Sequence, residues 1–365
     1  MSTISSATTQ PYWYQMPVTP AAPAAPNLDA TQKTDPPPTA GTVQGDAGTD
    51  GTSSGNSALS GLAPAVKAFL LQLQEMGIST YLKAGTEDAD EINGGAHSVV
   101  AAGGGDDVVK AGAESAIDGG AGDDAIDVWT DSIVDGGDGN DTIRAWSDAQ
   151  VDGGAGDDQI NVWSSSQVKG GDGDDVIRGW TDLTADGGNG DDLITAWSDA
   201  NVDGGAGDDA INVGGSSQVS GGSGNDVIST RDSSQVDGGA GDDVITVGNS
   251  SQVLGGAGND VIMADSDAII TGGTGDDTIM TFGGSSTVKF AAGDGKDTIT
   301  ADGSTQIELG DGLSADQMQM SRSGNQVKIS FGDGSDQLTI NVHDAVQLAF
   351  CDGRAMSFQP TAETA

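Results

Sequence analysis

One phrase of seventeen residues returns through the middle of this chain without a slip. Gly136–Asp152 reads GGDGNDTIRAWSDAQVD; the phrase before it, from Gly119, reads GGAGDDAIDVWTDSIVD, and the one after, from Gly153, reads GGAGDDQINVWSSSQVK. Further copies start at Gly170, Gly187, Gly204, Gly221, Gly238, Gly255 and Gly272, and degenerate ones at Gly85 and Ala102, all in phase. That makes twelve copies, followed by a shifted one that carries Asp297 at the Asp position. A fixed period of this length dictates a stack of like units, each burying its apolar face on its neighbours.

Numbering each copy from its first residue, position 6 is always Asp: Asp90, Asp107, Asp124, Asp141, Asp158, Asp175, Asp192, Asp209, Asp226, Asp243, Asp260 and Asp277. Position 8 is Ile or Val, position 10 mostly Val or Ala, position 14 mostly small and position 16 mostly Val. Positions 8 and 10 share one side of a strand, as do 14 and 16. Each unit therefore reads turn, strand, turn, strand, with the Gly pair in the first turn. Neither strand has a hairpin partner within its own unit. Each pairs with its copy one unit away, which makes two parallel sheets wound as a solenoid. At about 4.8 Å per coil, twelve coils span roughly 55–60 Å.

The charge bears on what closes this stack. The 365 residues include 56 Asp and Glu against 13 Lys and Arg, a net charge of −43. Leu, Ile, Val and Phe total 67, roughly 18%, a fraction that with such a charge marks a chain unable to fold unaided. The acids recur at fixed turn positions, so a multivalent cation is the expected complement. Paired glycines let carbonyl oxygens turn toward one point, and the position-6 Asp adds a hard anionic oxygen. One turn offers too few ligands for a cation that takes six to eight oxygens; the next coil supplies the rest. Oxygen ligands without His or Cys favour Ca²⁺. The single Cys351 excludes an intrachain disulfide and is expected as a small core residue. His97 and His343 have no zinc-type spacing. No run of apolar residues is long enough to span a membrane, and the negative charge disfavours nucleic acid and anionic lipid.

GGDGNDTIR, GGAGDDVIT and GGAGNDVIM resemble the GGxGxDxUx nonapeptide of the RTX (repeats-in-toxin, haemolysin-type) calcium-binding proteins. The resemblance covers residues 85 to about 300. It implies a parallel β-roll with calcium between loops, held by the position-6 side chains and loop carbonyls. The implied ligands are Asp107, Asp124, Asp141, Asp158, Asp175, Asp192, Asp209, Asp226, Asp243, Asp260, Asp277 and Asp297, with Gly119, Gly136, Gly153, Gly170, Gly187, Gly204, Gly221, Gly238, Gly255 and Gly272 at the heads of the loops. Family rolls place two nonapeptides in each 18-residue turn. Here one nonapeptide alternates with eight residues such as AWSDAQVD. The expectation is therefore a single calcium row, with the opposite turn closed by Ser, Asp and Gly. The first two copies lack the full glycine set, which weakens the case for calcium there.

The fold class expected is all-β: a parallel β-roll or β-solenoid of 17-residue coils (85–288), with an N-terminal capping helix and lead-in (59–84) and a β-rich C-terminal cap (289–358). Residues 1–58 are Ser/Thr/Pro/Gly-rich, with eight of the ten prolines before residue 39, and read as disordered; 359–365 read as a tail. In the helix, Leu62, Val66, Phe69, Leu70, Leu73 and Met76 fall on one face, suited to covering the open end of the array. Trp129, Trp146, Trp163, Trp180 and Trp197 occupy position 11 of five consecutive copies. They stack on one another or offer an aromatic platform to a polysaccharide or surface. A catalytic site is singular, whereas every copy here repeats the same acids, and no nucleophile elbow, zinc signature or phosphate loop appears. The chain thus reads as non-catalytic and secreted, folding on calcium after export. Without a Sec-type signal peptide, export by a type I or type III route is expected, since the opening MSTISSATTQ resembles a type III leader. An effector or accessory protein acting on a host is the alternative.

Overall fold

The computed structural model describes residues 62–77 and 79–361; the expectations for 1–58 and for the last four residues lie outside them. Gly85 to Val288 winds into two repeating strands per coil, and every strand in the array pairs in parallel with its counterparts one coil away. Thr142–Ser147 pairs with Ala125–Val128 before it and Gln159–Ser164 after it, Ile143 opposite Ile126 and Ile160. Gln150–Ala155 pairs likewise with Ile133–Asp138 and Gln167–Asp172, Val151 opposite Val134 and Val168. Seventeen residues per coil keep every side chain in register with its copies, so each position becomes a column.

Period-two alternation decides which columns face inward. Ile143, Ala145, Ala149 and Val151 are buried, as are their counterparts up and down the array. The core of each coil is thus one Ile, one or two Val and a small residue. Phe appears in the core only where the coils end: Phe290, Phe331, Phe350 and Phe358 are buried together with Leu309, Leu338 and Leu348.

The second strand is longer than the sequence reading allows. It runs from position 15 through the Gly pair to position 3 of the next coil, with Gly154 in register with Gly137 and Gly171. The glycines belong to the sheet, and only positions 4 to 6 turn the corner.

At the C-terminal end the strands lengthen to Thr278–Phe290 and Lys296–Leu309. Gln337–Val342 and Val346–Phe350 add one more parallel layer on Lys296–Leu309. Antiparallel strands then close the stack: Met318–Ser323 and Gln326–Phe331 on one side, Ala355–Phe358 on the other. Cys351 is exposed in the turn before Ala355–Phe358; the expectation of a core cysteine fails because the strand's alternation ends at Phe350.

Helix α1 (Pro64–Glu75) is present, but the residues it buries point out of a wall and not into the bore. Leu62, Val66 and Leu70 pack on Val99 and Ala116, with Phe69 and Ile133 alongside. Val99, Ala116 and Ile133 are position 15 of the first three coils, an outward-facing column that turns to Gln150 and Gln167 further on. The helix therefore covers a side wall at the start of the array. Met76, expected on the buried face, is exposed. The backbone N–H of Ala63 at the helix start donates to Oδ2 of Asp118, 2.6 Å away, which satisfies a donor that the helix itself cannot.

Candidate metal centre

The Gly-rich corner is stitched by two rows of side-chain acceptors that run in opposite directions. In the inner row, the backbone N–H of each position-6 Asp donates to Oδ1 of the next coil's position-6 Asp. Asp124 donates to Asp141, Asp141 to Asp158, and so on from Asp90 to Asp260, at 2.7–2.9 Å. The row ends with Asp277 donating to Asp297 at 3.2 Å. In the outer row, position 5 accepts from the coil that follows: Asp157 donates to Asn140, and Asp174 to Asp157. Position 5 stays exposed and acts as this outer stitch.

The inner carboxylates are the unusual ones. Asp107, Asp124, Asp141, Asp158, Asp175, Asp192, Asp209, Asp226, Asp243, Asp260, Asp277 and Asp297 are all buried. In the first eleven, Oδ2 is fully enclosed and has no hydrogen-bond partner. A buried oxygen in that condition costs free energy unless something positive meets it.

The glycines at position 1 define what lies around it. A methyl group on Gly136 would collide with Oδ2 of Asp141 and with the carbonyl oxygen of Gly153. Gly119, Gly153, Gly170, Gly187, Gly204, Gly221, Gly238 and Gly255 repeat the arrangement, each with its own position-6 Oδ2 and the next coil's carbonyl; at Gly272 the Asp277 carboxylate remains. Two acceptors, one of them anionic, thus converge on one small region in coil after coil, with no donor between them. The next residue, such as Gly137 with φ 115°, holds a backbone that other residues rarely adopt.

Burial pushes these carboxyls up, the N–H bond from the preceding coil lowers them in part, and neighbouring carboxylates raise them again. Asp124, Asp158 and Asp277 rise to about 6, Asp141, Asp175, Asp192, Asp209 and Asp243 to about 7, and Asp297 to about 8. Asp107, Asp226 and Asp260 rise as well, again chiefly through burial. Among the described residues no three His, Cys, Asp or Glu side chains cluster as a metal site. A cation held here would have one carboxylate per coil and backbone carbonyls to draw on, a hard, all-oxygen donor set of the kind that suits calcium.

The opposite corner is built differently. Position 13 holds a left-handed backbone without glycine, at Asp131, Asp148, Ser165, Asp182 and Asp199 among others, with φ of 53–63° along the column. Asp tolerates this conformation because its short side chain bonds locally. Buried Ser hydroxyls at position 14 tie successive coils, as where Ala149 N–H donates to Ser166 Oγ at 3.3 Å. One edge alone carries the Gly-rich oxygen site.

Beside that second corner Trp129, Trp146, Trp163, Trp180 and Trp197 stack in one column, ring centroids 5.4–5.6 Å apart and planes within 7–18°. The column stops where position 11 becomes Gly214, and the Arg231 guanidinium lies 6.0 Å from the Trp197 ring. Each inner ring spends both faces on its neighbours, so ring edges are what the column offers outward. That geometry gives no support to a flat aromatic platform for a polysaccharide. His97 and His343 each pair with one exposed acid, Glu114 and Asp302.

Two contributors were missed in the sequence. Asp118 receives the start of α1, and its signal was the apolar run Val99, Ala116, Ile133 at position 15, which marks the footprint of a covering element. Arg231 ends the Trp column, and its signal was a base at position 11 two coils beyond Trp197.

No protein-family model matches this sequence, and no curated protein does. Among solved structures, the fold is similar to that of a hyperactive, Ca²⁺-dependent, β-helical antifreeze protein from an Antarctic bacterium. The two share 25% identity over 60% of this chain and 84% of that one, with a TM-score of 0.47.

Proposed function

We propose that this chain is a non-catalytic, calcium-binding β-solenoid of RTX type, whose coils close when Ca²⁺ occupies the Gly-rich edge. The observation that carries the reading is the column of eleven buried, unpartnered Oδ2 atoms, from Asp107 to Asp277, the ten from Asp124 onward each beside the position-1 glycine of its coil. The carboxylates and the carbonyls of positions such as Gly136 and Gly153 would hold the ions; bound calcium would supply positive charge where two acceptors now face each other. The rest follows from this chain's own residues. Glycine at position 1 keeps side chains out of the oxygen site, Oδ1 holds each carboxylate to the preceding coil, and the Ile and Val columns exclude water from the bore.

Folding on calcium fits a protein exported unfolded and closed outside the cell, where calcium is plentiful, and secretion is part of this proposal. The repetition of one acid site in every coil, with no second chemistry beside it, supports a binding and structural role over an enzymatic one. Circular dichroism of the full chain with calcium and with excess chelator tests the reading. A β spectrum that appears only with calcium is expected; an unchanged β spectrum in chelator at pH 8 would refute it.

A further inference from the structure

The first coil departs from the others at the point where the ion would sit. Its position 2 is Thr86, where the eleven coils that follow have glycines from Gly103 to Gly273 with φ between 102° and 127°. Thr86 is not among the residues with positive φ, so the chain enters this corner by a different backbone path. Its consequence is seen at Asp90. Oδ2 of Asp90 accepts two hydrogen bonds, from the Thr86 backbone N–H at 2.7 Å and from the Thr86 hydroxyl at 2.9 Å. In each of the next eleven coils the same oxygen has no partner.

The remainder of the site is in place. A methyl group on Gly85 would collide with the Ala102 carbonyl oxygen and lie 2.9 Å from Oδ2 of Asp90, the same convergence as at Gly136. What differs is that the carboxylate oxygen is already met by an amide and a hydroxyl. Two donors on one carboxylate oxygen supply the positive potential that a cation would otherwise bring, and they occupy the lone pairs that a cation would use. Asp90 is also half-buried where the later carboxylates are fully enclosed, so it carries less need of a counter-ion.

The same end of the array is held by contacts that involve no cation. Val66 and Leu70 of α1 pack on Val99 and Ala116, and Asp118 fixes the helix start. Asp90 N–H still donates to Asp107 Oδ1 at 2.7 Å, so the first coil presents the second with a finished edge.

We infer that the coil 85–101 is a cation-free starter: Thr86 takes the place of calcium at Asp90, the ion row begins beyond this coil, and α1 with this coil forms an end that stays ordered when calcium is removed. This rests on the calcium reading above and adds where the row starts and which part of the chain is independent of the ion. It also assigns Thr86 as the residue that denies the first coil an ion.

Two measurements on the full chain test it. The first counts bound calcium by equilibrium dialysis at saturation. Asp90→Asn should leave the wild-type count unchanged, since the oxygen facing Thr86 is retained, whereas Asp141→Asn should lose at least one ion. Thr86→Gly, which frees the carboxylate and restores the glycine of the other coils, should gain one, and Thr86→Ser should match the wild type. Loss of an ion in Asp90→Asn, or an unchanged count in Thr86→Gly, overturns the inference. The second measurement is hydrogen exchange in excess chelator. Residues 64–101 should exchange at least tenfold more slowly than 187–271, and Thr86→Gly should abolish the difference within 85–101. Equal, fast exchange in both regions overturns the starter, while equal, slow exchange in both refutes the calcium reading itself.

Discussion

Replacing one inner carboxylate by its amide separates a cation site from an ordinary buried acid, because the two readings predict opposite signs. Oδ1 of Asp192 accepts the Asp175 N–H at 2.8 Å. Its Oδ2 and the Gly204 carbonyl both press on the region above Gly187. Asp192→Asn keeps the first bond and turns an N–H toward the Gly204 carbonyl. Without calcium, an acceptor facing an acceptor becomes a donor facing an acceptor, and a carboxyl that burial pushes up to about 7 is removed. An unsatisfied buried polar group costs about 1–3 kcal/mol, so the variant should gain about that much stability in chelator. With calcium at a hundredfold excess over its Kd, the wild type gains about 2.7 kcal/mol per site by linkage, and the variant forfeits one site's share. At about 2–4 °C per kcal/mol, thermal melts followed by circular dichroism should rise by several degrees in chelator and fall by several in calcium. A fall in both solutions would show that the carboxylate serves the fold alone, and the cation reasoning would then be wrong.

Acid should substitute in part for calcium. The inner carboxyls at about 6 to 7 in the fold, against 3.8 for the free side chain, mean that the cation-free fold holds more protons than the unfolded chain between those values. Its stability is then full below about 3.8 and is lost as pH climbs through about 7; melts in chelator should be lower at pH 8 than at pH 5, and the reverse order would count against the buried column. Gly136→Ala drives a methyl group into the Asp141 carboxylate and the Gly153 carbonyl. It should cost about 1–3 kcal/mol and lower calcium binding, with wild-type affinity the contrary result. Trp163→Ala removes a ring stacked on both faces, at about 0.5–1.5 kcal/mol for each lost pair. Near-ultraviolet dichroism should weaken while the calcium count holds; a lower count would place the Trp column in the ion site.

The period made the solenoid legible, since a strict seventeen-residue repeat with inward Ile and Val columns leaves few other ways to bury them. The one-sided distribution of Gly-rich corners was legible for the same reason. What escaped was the work of individual groups. Gly136 and Gly137 look like turn residues, yet they lie in the strand, because what they provide is room for an oxygen from the next coil. The helical stripe Leu62, Val66, Leu70 was plain, but its target was not: a helix pattern shows which face is buried and says nothing of whether a wall or a mouth receives it. Val99, Ala116 and Ile133, one in each of the first three coils, held that answer. The position-6 Asp was read as a ligand; that its second oxygen also ties the preceding coil's N–H depends on a direction, C-terminal neighbour to N-terminal neighbour, which a translational repeat cannot display.

That direction bears on how a chain of net charge −43 closes at all. Each inner N–H is satisfied only when the following coil has arrived, and each outer one only when the preceding coil is in place. A coil is therefore incomplete on both sides until it is sandwiched, which makes closure cooperative along the axis and gives the terminal coils special requirements. The charges do not oppose this equally. Those at position 5 stay exposed and solvated, where screening keeps repulsion small. Those at position 6 are forced out of water with one oxygen bare. One divalent ion for each of the eleven bare carboxylates would cancel about half of the chain's net charge, and it would do so in the column where low dielectric makes repulsion strongest. The remaining acids keep the outside anionic. A cation row would thus remove the part of the charge that resists folding and leave the part that faces water.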